Sequence, residues 1–197
     1  ELQTAVDLWV SDKSSALSTY GEINTWDVSL ITDMSELFKD KSTFNDNISN
    51  WDVSSVTNMY RLFMNADDFS GDLSKWDVSS VTNMGSLFVD TKFNGDLSGW
   101  DVSNVTSFDS MFFSANSINN NSLANWDVSS TTNMRQMFYG ASTFNGDISG
   151  WDVSSVTNMR VMFSQTAINQ DLSNWDVSSV TSMWGMFERA RQFDQDI

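Results

Sequence analysis

Apolar and polar positions alternate along this chain in a pattern that returns on itself. Trp-Asp-Val-Ser occurs seven times, with tryptophans at Trp26, Trp51, Trp76, Trp100, Trp126, Trp151 and Trp175. The steps between them are 25, 25, 24, 26, 25 and 24 residues. Such a period marks a stack of repeats, each a small unit that cannot bury its apolar face alone. Two shorter periods lie inside each unit. Around Ile148, Trp151 and Val153 the apolar spacing is three, then two, with Trp and Val alternating about Asp152, which predicts a strand. Further on, Met59, Leu62, Phe63 and Ala66 lie at i, i+3, i+4 and i+7, which predicts a helix of about two to three turns. Ser54, Ser55 and Thr57 stand upstream as candidate N-caps.

Residues 1–20 do not match the repeat. Leu2, Ala5, Val6, Trp9 and Val10 fall at helical steps, a polar break follows at Ser11–Ser15, and the segment is placed to cap the first coil. Residues 21–197 then form about seven coils of 24–26 residues. Changes in coil length test this division, because they belong in connections. The shorter steps each lose one residue, at Phe88 to Phe93 and at Phe163 to Ile168, and the longer one gains one at Asn119–Asn121. All three fall between the end of the predicted helix and the start of the next strand. Gln192–Ile197 begins an eighth coil without a tryptophan. An array cut from a longer one, or an open end available for end-to-end self-association, is the expectation. A start at Glu1 without methionine suggests a processed secreted protein or an excised fragment.

The spacing Ile/Leu-x-x-Trp-x-Val matches the strand signature of leucine-rich repeats. The predicted fold class is therefore α/β: a right-handed β/α solenoid of the leucine-rich-repeat type, with short parallel strands on the concave face, short helices on the convex face and an N-terminal helical cap. The unit seen nearly whole from Phe144 to Phe163 (F-N-G-D-I-S-x-W-D-V-S-S-V-T-N-M-x-x-M-F) closely resembles the repeat of the BspA-like surface proteins, over residues 21–197. The resemblance implies an extracellular or cell-surface, adhesive or partner-binding solenoid, and it carries no catalytic motif. One departure matters. The buried Asn ladder of ordinary leucine-rich repeats falls here on Val56, Val81, Val105 and Val156, so Ser and Thr hydroxyls are expected to satisfy the bend.

Composition narrows the partners. Ten basic residues against 26 acidic give a net charge of −16, which disfavours nucleic acid. The absence of Cys and His removes thiol and imidazole chemistry. No apolar run approaches the roughly 20 residues of a membrane span. With Trp and Val inward, Asp27, Asp52, Asp77, Asp101, Asp127, Asp152 and Asp176 point outward. At a strand spacing of about 4.8 Å such carboxylates repel by about 1 kcal/mol or more. Hydrogen bonds from nearby Ser and Thr are the first expected offset, and bridging calcium, the only cofactor considered, is the second. A further acidic row, Asp72, Asp96, Asp147, Asp171 and Asp196, is expected to serve turns. On the helical wheel Met64, Val89, Phe113 and Tyr139 lie away from the core stripe, with Tyr60 one turn back, forming a candidate exposed patch for a protein partner. The function expected is a binding or adhesion module, not an enzyme. A calcium-binding structural spacer, a glycan- or ice-binding solenoid, and a hydrolase with paired carboxylates are the alternatives.

Overall fold

The structure is a computed structural model that describes residues 1–118 and 121–195. The insertion expected at Asn119–Asn121 and the acidic Asp196 fall wholly or partly outside these residues.

Two helices open the chain, α1 (Leu2–Ser11) and α2 (Lys13–Tyr20). The polar break is a single residue, Asp12, whose carboxylate accepts from the Ser15 amide and hydroxyl and so caps α2. From α1, Val6 and Trp9 are buried against the first coil, with the Trp9 ring edge-on to Trp26 at 5.7 Å. Trp9 Nε1 donates to Asp46, Lys13 pairs with Asp46 and Lys41 with Asp7, each contact 2.9 Å or less. Burial draws the Asp46 carboxyl upward, but the bonds from Lys13 and Trp9 outweigh it and hold the pKa below the usual value.

The coils that follow correct the predicted fold class. Among the described residues the repeats contain no strand and no α-helix, so there is no β/α solenoid with a strand face and a helix face. Around Ile148, Trp151 and Val153, where the strand was expected, the backbone is turn and irregular; single parallel bridges link the coils five residues past that valine position, Asp33 to Asn58, Asn83, Ser107, Asn133, Asn158 and Ser182 in turn. Where the helix was expected, consecutive tight turns form a ribbon. In the first coil Leu37, Lys39 and Lys41 donate to the carbonyls three residues back, while Met34, Glu36, Phe38 and Asp40 donate to Asn58, Tyr60, Leu62 and Met64 of the next coil. Alternate amides thus close turns and cross to a neighbour.

Spacing decides between ribbon and helix. Phe38, Phe63, Phe88, Phe112, Phe138, Phe163 and Phe187 stack face to face with centroids 5.3–5.8 Å apart. Neighbouring helices need about 8–10 Å between axes, so no helix fits at this pitch. The ribbon does fit, at the cost of left-handed backbone twice per coil, at Glu36 and Asp40, Arg61 and Asn65, Ser86 and Asp90, and onward to Gly185 and Arg189. The second of these positions carries Asp40, Asn65, Asp90, Ser114, Gly140, Gln165 and Arg189, of which Asp40, Asn65, Asp90 and Gly140 are residue types that tolerate positive φ.

The core is a set of ladders along the stack. In the second coil Ile48, Trp51, Val53, Val56, Met59, Leu62, Phe63, Ala66 and Phe69 are all buried. Within the coils each buried indole N–H donates to a carbonyl of the preceding coil: Trp51 to Ile23, Trp76 to Ile48, Trp100 to Leu73, Trp126 to Leu97, Trp151 to Leu123 and Trp175 to Ile148, at 2.7–3.2 Å. The indole is therefore wall and strut together, an apolar plate with one satisfied donor. In the two shortened connections a buried threonine hydroxyl replaces the missing residue. Thr91 donates to Phe88 O and accepts from Phe93 N, and Thr166 does the same between Phe163 and Ile168.

Candidate binding surfaces

Two rows of outward carboxylates run down the coils, and turn chemistry accounts for both. Asp27, Asp52, Asp77, Asp101, Asp127, Asp152 and Asp176 are exposed. Each accepts through one oxygen from the backbone amide two residues on, at Ser29, Ser54, Ser79, Ser103, Ser129, Ser154 and Ser178. Hydroxyl bonds from those serines, then their amides, hold Asp27, Asp52, Asp77, Asp127, Asp152 and Asp176 below the usual carboxylate pKa. Flanking carboxylates pull Asp52 and Asp152 the other way and do not prevail. The row Asp72, Asp96, Asp147 and Asp171 repeats the arrangement on Ser74, Ser98, Ser149 and Ser173. No group of three acidic side chains that could hold a metal ion occurs among the described residues. Asp90 behaves differently: burial raises its pKa and Asp67 adds to the rise, against a bond from Ser114.

A third row was missed from the sequence. Asp33, Asn58, Asn83, Asn133 and Asn158 accept from the amides of Ser35, Tyr60, Gly85, Arg135 and Arg160, closing the bend where hydroxyls were expected. Threonines do act one residue earlier. Thr57 donates both its amide and its hydroxyl to Thr32 O, and Thr82, Thr106, Thr132, Thr157 and Thr181 continue the line. The Asn signal was present, two residues beyond the valine position of the leucine-rich-repeat frame.

The ribbon side carries the candidate partner patch, in altered form. Val89 is buried, which corrects its expected exposure, while Tyr60, Met64, Phe113 and Tyr139 are half-buried. The helical wheel assigned them to one outer stripe. A stacked ribbon instead sets equivalent positions of successive coils side by side. Phe113 and Tyr139 stack at 4.8 Å, and Gln165 Nε2 donates to the Tyr139 hydroxyl at 2.7 Å. Tyr60 lies under the Arg61 guanidinium, 4.7 Å away.

Next to Phe113 and Tyr139 the surface opens into a groove that also takes in Arg135, Arg160, Trp184 and Glu188. Trp184 lies outside every Trp-Asp-Val-Ser unit and is 64 % exposed, with the Arg160 guanidinium 5.0 Å over its ring. Arg135 pairs with Asp109 at 3.5 Å. Two guanidiniums and an exposed indole on a chain of net charge −16 make this the most distinct patch of the ribbon. Sequence reading did not single it out, although Arg135, Arg160 and Trp184 share the register of Tyr60, the position one turn back from Met64. The signal that marks them is shared register: they occupy one position in successive coils.

No helix among the described residues is long and apolar enough to cross a membrane. No curated protein and no solved structure matches the chain. Residues 10–124 and 113–197 each match one family, together spanning α2 and every coil, and the chain belongs to that family, described as Mycoplasma protein of unknown function, DUF285.

Proposed function

We propose that this protein is a non-catalytic binding or adhesion module of an extracellular or cell surface, and that a protein partner docks on the ribbon side at the Tyr139–Trp184 groove. The observation that carries the reading is the 64 % exposure of Trp184 beside Arg160, Arg135 and Tyr139. Trp, Tyr and Arg are the residues on which binding energy concentrates at protein interfaces, and a single indole left in water has no role in the ladders that hold the coils. The acidic rows support the non-catalytic half of the reading. Acid–base chemistry at neutral pH needs two carboxyls held in unlike environments, and these rows repeat one Asp–Ser arrangement.

The test is capture by crosslinking from the surface that displays the protein, with the unaltered chain and with Trp184→Ser/Arg160→Ser. The partner should be lost from the double variant while its melting temperature stays within about 2 °C of the parent, since changes at exposed sites are usually within about 0.5 kcal/mol. A partner retained in full by the variant, or lost only on adding a chelator, would refute the reading.

A further inference from the structure

The seven coils agree where they hold one another together and differ on the outside of the ribbon. Asp-x-Ser after the tryptophan occurs in all seven. At the Tyr60 position the coils carry Ser, Tyr, Gly, Asp, Arg, Arg and Trp in turn, and at the Met64 position Lys, Met, Val, Phe, Tyr, Ser and Glu. A surface that repeats presents one contact many times, whereas one that does not repeat can tell one partner from another. Most charges there are satisfied within the chain. Arg61 bonds Glu36 at 3.1 Å, Lys39 reaches Glu36 at 3.3 Å and Arg135 reaches Asp109 at 3.5 Å. Arg160 makes no ion pair among the described residues.

The second coil shows what completes such an arginine. The Arg61 guanidinium lies over the Tyr60 ring at 4.7 Å and bonds the Glu36 carboxylate. A guanidinium that stacks by its face keeps its N–H donors in its own plane, where a carboxylate can accept them sideways. Arg160 repeats the first half of this arrangement, over Trp184 at 5.0 Å, and lacks the second. The groove around it holds further parts. Arg135, one coil back, meets Asp109 at 3.5 Å, longer than the roughly 2.7–2.9 Å of a strong charge-assisted bond. Phe113 and Tyr139, half-buried and stacked 4.8 Å apart, form an apolar plate on the same groove. The carboxylate that lines it is Glu188, which the Arg189 guanidinium faces at 3.9 Å.

Resting on the docking role proposed above for this groove, we propose that what it receives is an acidic segment of the partner protein: a carboxylate taken by Arg160 with Arg135 beside it, next to an aromatic side chain laid on the Phe113–Tyr139 plate. The partner's carboxylate takes the place at Arg160 that Glu36 takes at Arg61. Arginine is suited to this, because its fork of donors meets both oxygens of a carboxylate and so fixes orientation as well as charge. The net charge of −16 does not oppose the contact decisively. At physiological ionic strength charges act over about 8 Å, so the groups at the groove decide, with Arg135, Arg160 and Arg189 set against Asp109 and Glu188.

The test selects a random dodecapeptide library, displayed on phage, against the full chain. Selected sequences should be enriched in Asp or Glu next to Phe, Tyr or Trp. Their synthetic peptides should bind Arg135→Gln/Arg160→Gln at least about tenfold more weakly than the parent, and changing the acidic residue to its amide should weaken binding to the parent by a similar factor. The proposal is overturned by selection of basic sequences, by the absence of any enriched acidic motif, or by equal binding to the variant. A sulfated tetrasaccharide that displaces the peptides and binds more tightly would overturn it in favour of an anionic glycan. Capture from the displaying surface separates this proposal from the docking role. A partner held by Arg135→Gln/Arg160→Gln but lost from Trp184→Ser/Arg160→Ser removes the carboxylate and leaves the docking site, whereas a partner held by both removes the docking site itself.

Discussion

Ser86 separates a turn ribbon from a helix by the sign of one substitution. It sits in the ribbon at φ 56°, its amide donates to Asp109 O, and its side chain is half-buried. An L-residue in left-handed backbone costs about 1–2 kcal/mol. Ser86→Gly removes that cost and gives back about 0.4–1 kcal/mol through the greater freedom of the unfolded chain. The net expectation is stabilisation by about 0.5 kcal/mol, a rise of about 1–2 °C in melting temperature for a chain of this size. In a helix interior the same change would destabilise by about 0.5–1 kcal/mol. The reverse change at the other left-handed position of a later coil sharpens the contrast. Gly140 has φ +71°, and a Cβ there would meet the Ser114 hydroxyl at 3.2 Å, so Gly140→Ala should destabilise by about 1 kcal/mol. Urea unfolding of both variants, followed by circular dichroism and by tryptophan fluorescence to check that one transition is seen, reads the two signs. A destabilised Ser86→Gly together with a stabilised Gly140→Ala would refute the ribbon.

Trp100→Phe removes the bond to Leu73 O and roughly 40 Å³ of buried ring; about 1 kcal/mol for the bond and about 1 kcal/mol for the cavity predict a loss near 2 kcal/mol by urea unfolding. Trp26→Phe should lose less than half as much, since Trp26 is only half-buried and its bond to Gly21 O is 3.3 Å long. Asp46→Ala leaves the buried Trp9 indole N–H unpaired and frees Lys13, so α1 should loosen by about 1–2 kcal/mol, read as faster amide exchange confined to residues 2–11. Acid should weaken the coils in a defined window. The Asp–Ser carboxylates have pKa values below their unfolded value of about 3.9, so their contribution is complete above that pH and is lost as pH falls through the folded values. Melting temperature should be level from pH 7 to about pH 5 and fall below about pH 4; a fall centred near pH 6 would contradict this assignment.

Much of the packing was legible in the sequence and much of the backbone was not. Every Trp, Val, Met and Phe of the second and third repeats placed inside by spacing is inside, and the carboxylates between Trp and Val see water. The binding groove was half legible. Tyr139, Phe113 and Tyr60 were found by register, but Arg135, Arg160 and Trp184, which occupy the Tyr60 position in later coils, were not singled out.

By itself, the sequence determined the period, the inward set and the chemistry of each turn, because burial requires only that apolar positions recur and because Asp-x-Ser closes a turn within three residues. Only the tertiary structure decided where the backbone amides go. Met59, Leu62, Phe63 and Ala66 face inward whether their segment is a helix or a ribbon, since both turn about three to four residues per cycle. The choice belongs to the stack: with phenylalanine rings repeating every 5.3–5.8 Å, amides reach the neighbouring coil in place of the carbonyl four residues back. That distance lies between coils, and no spacing within one coil encodes it.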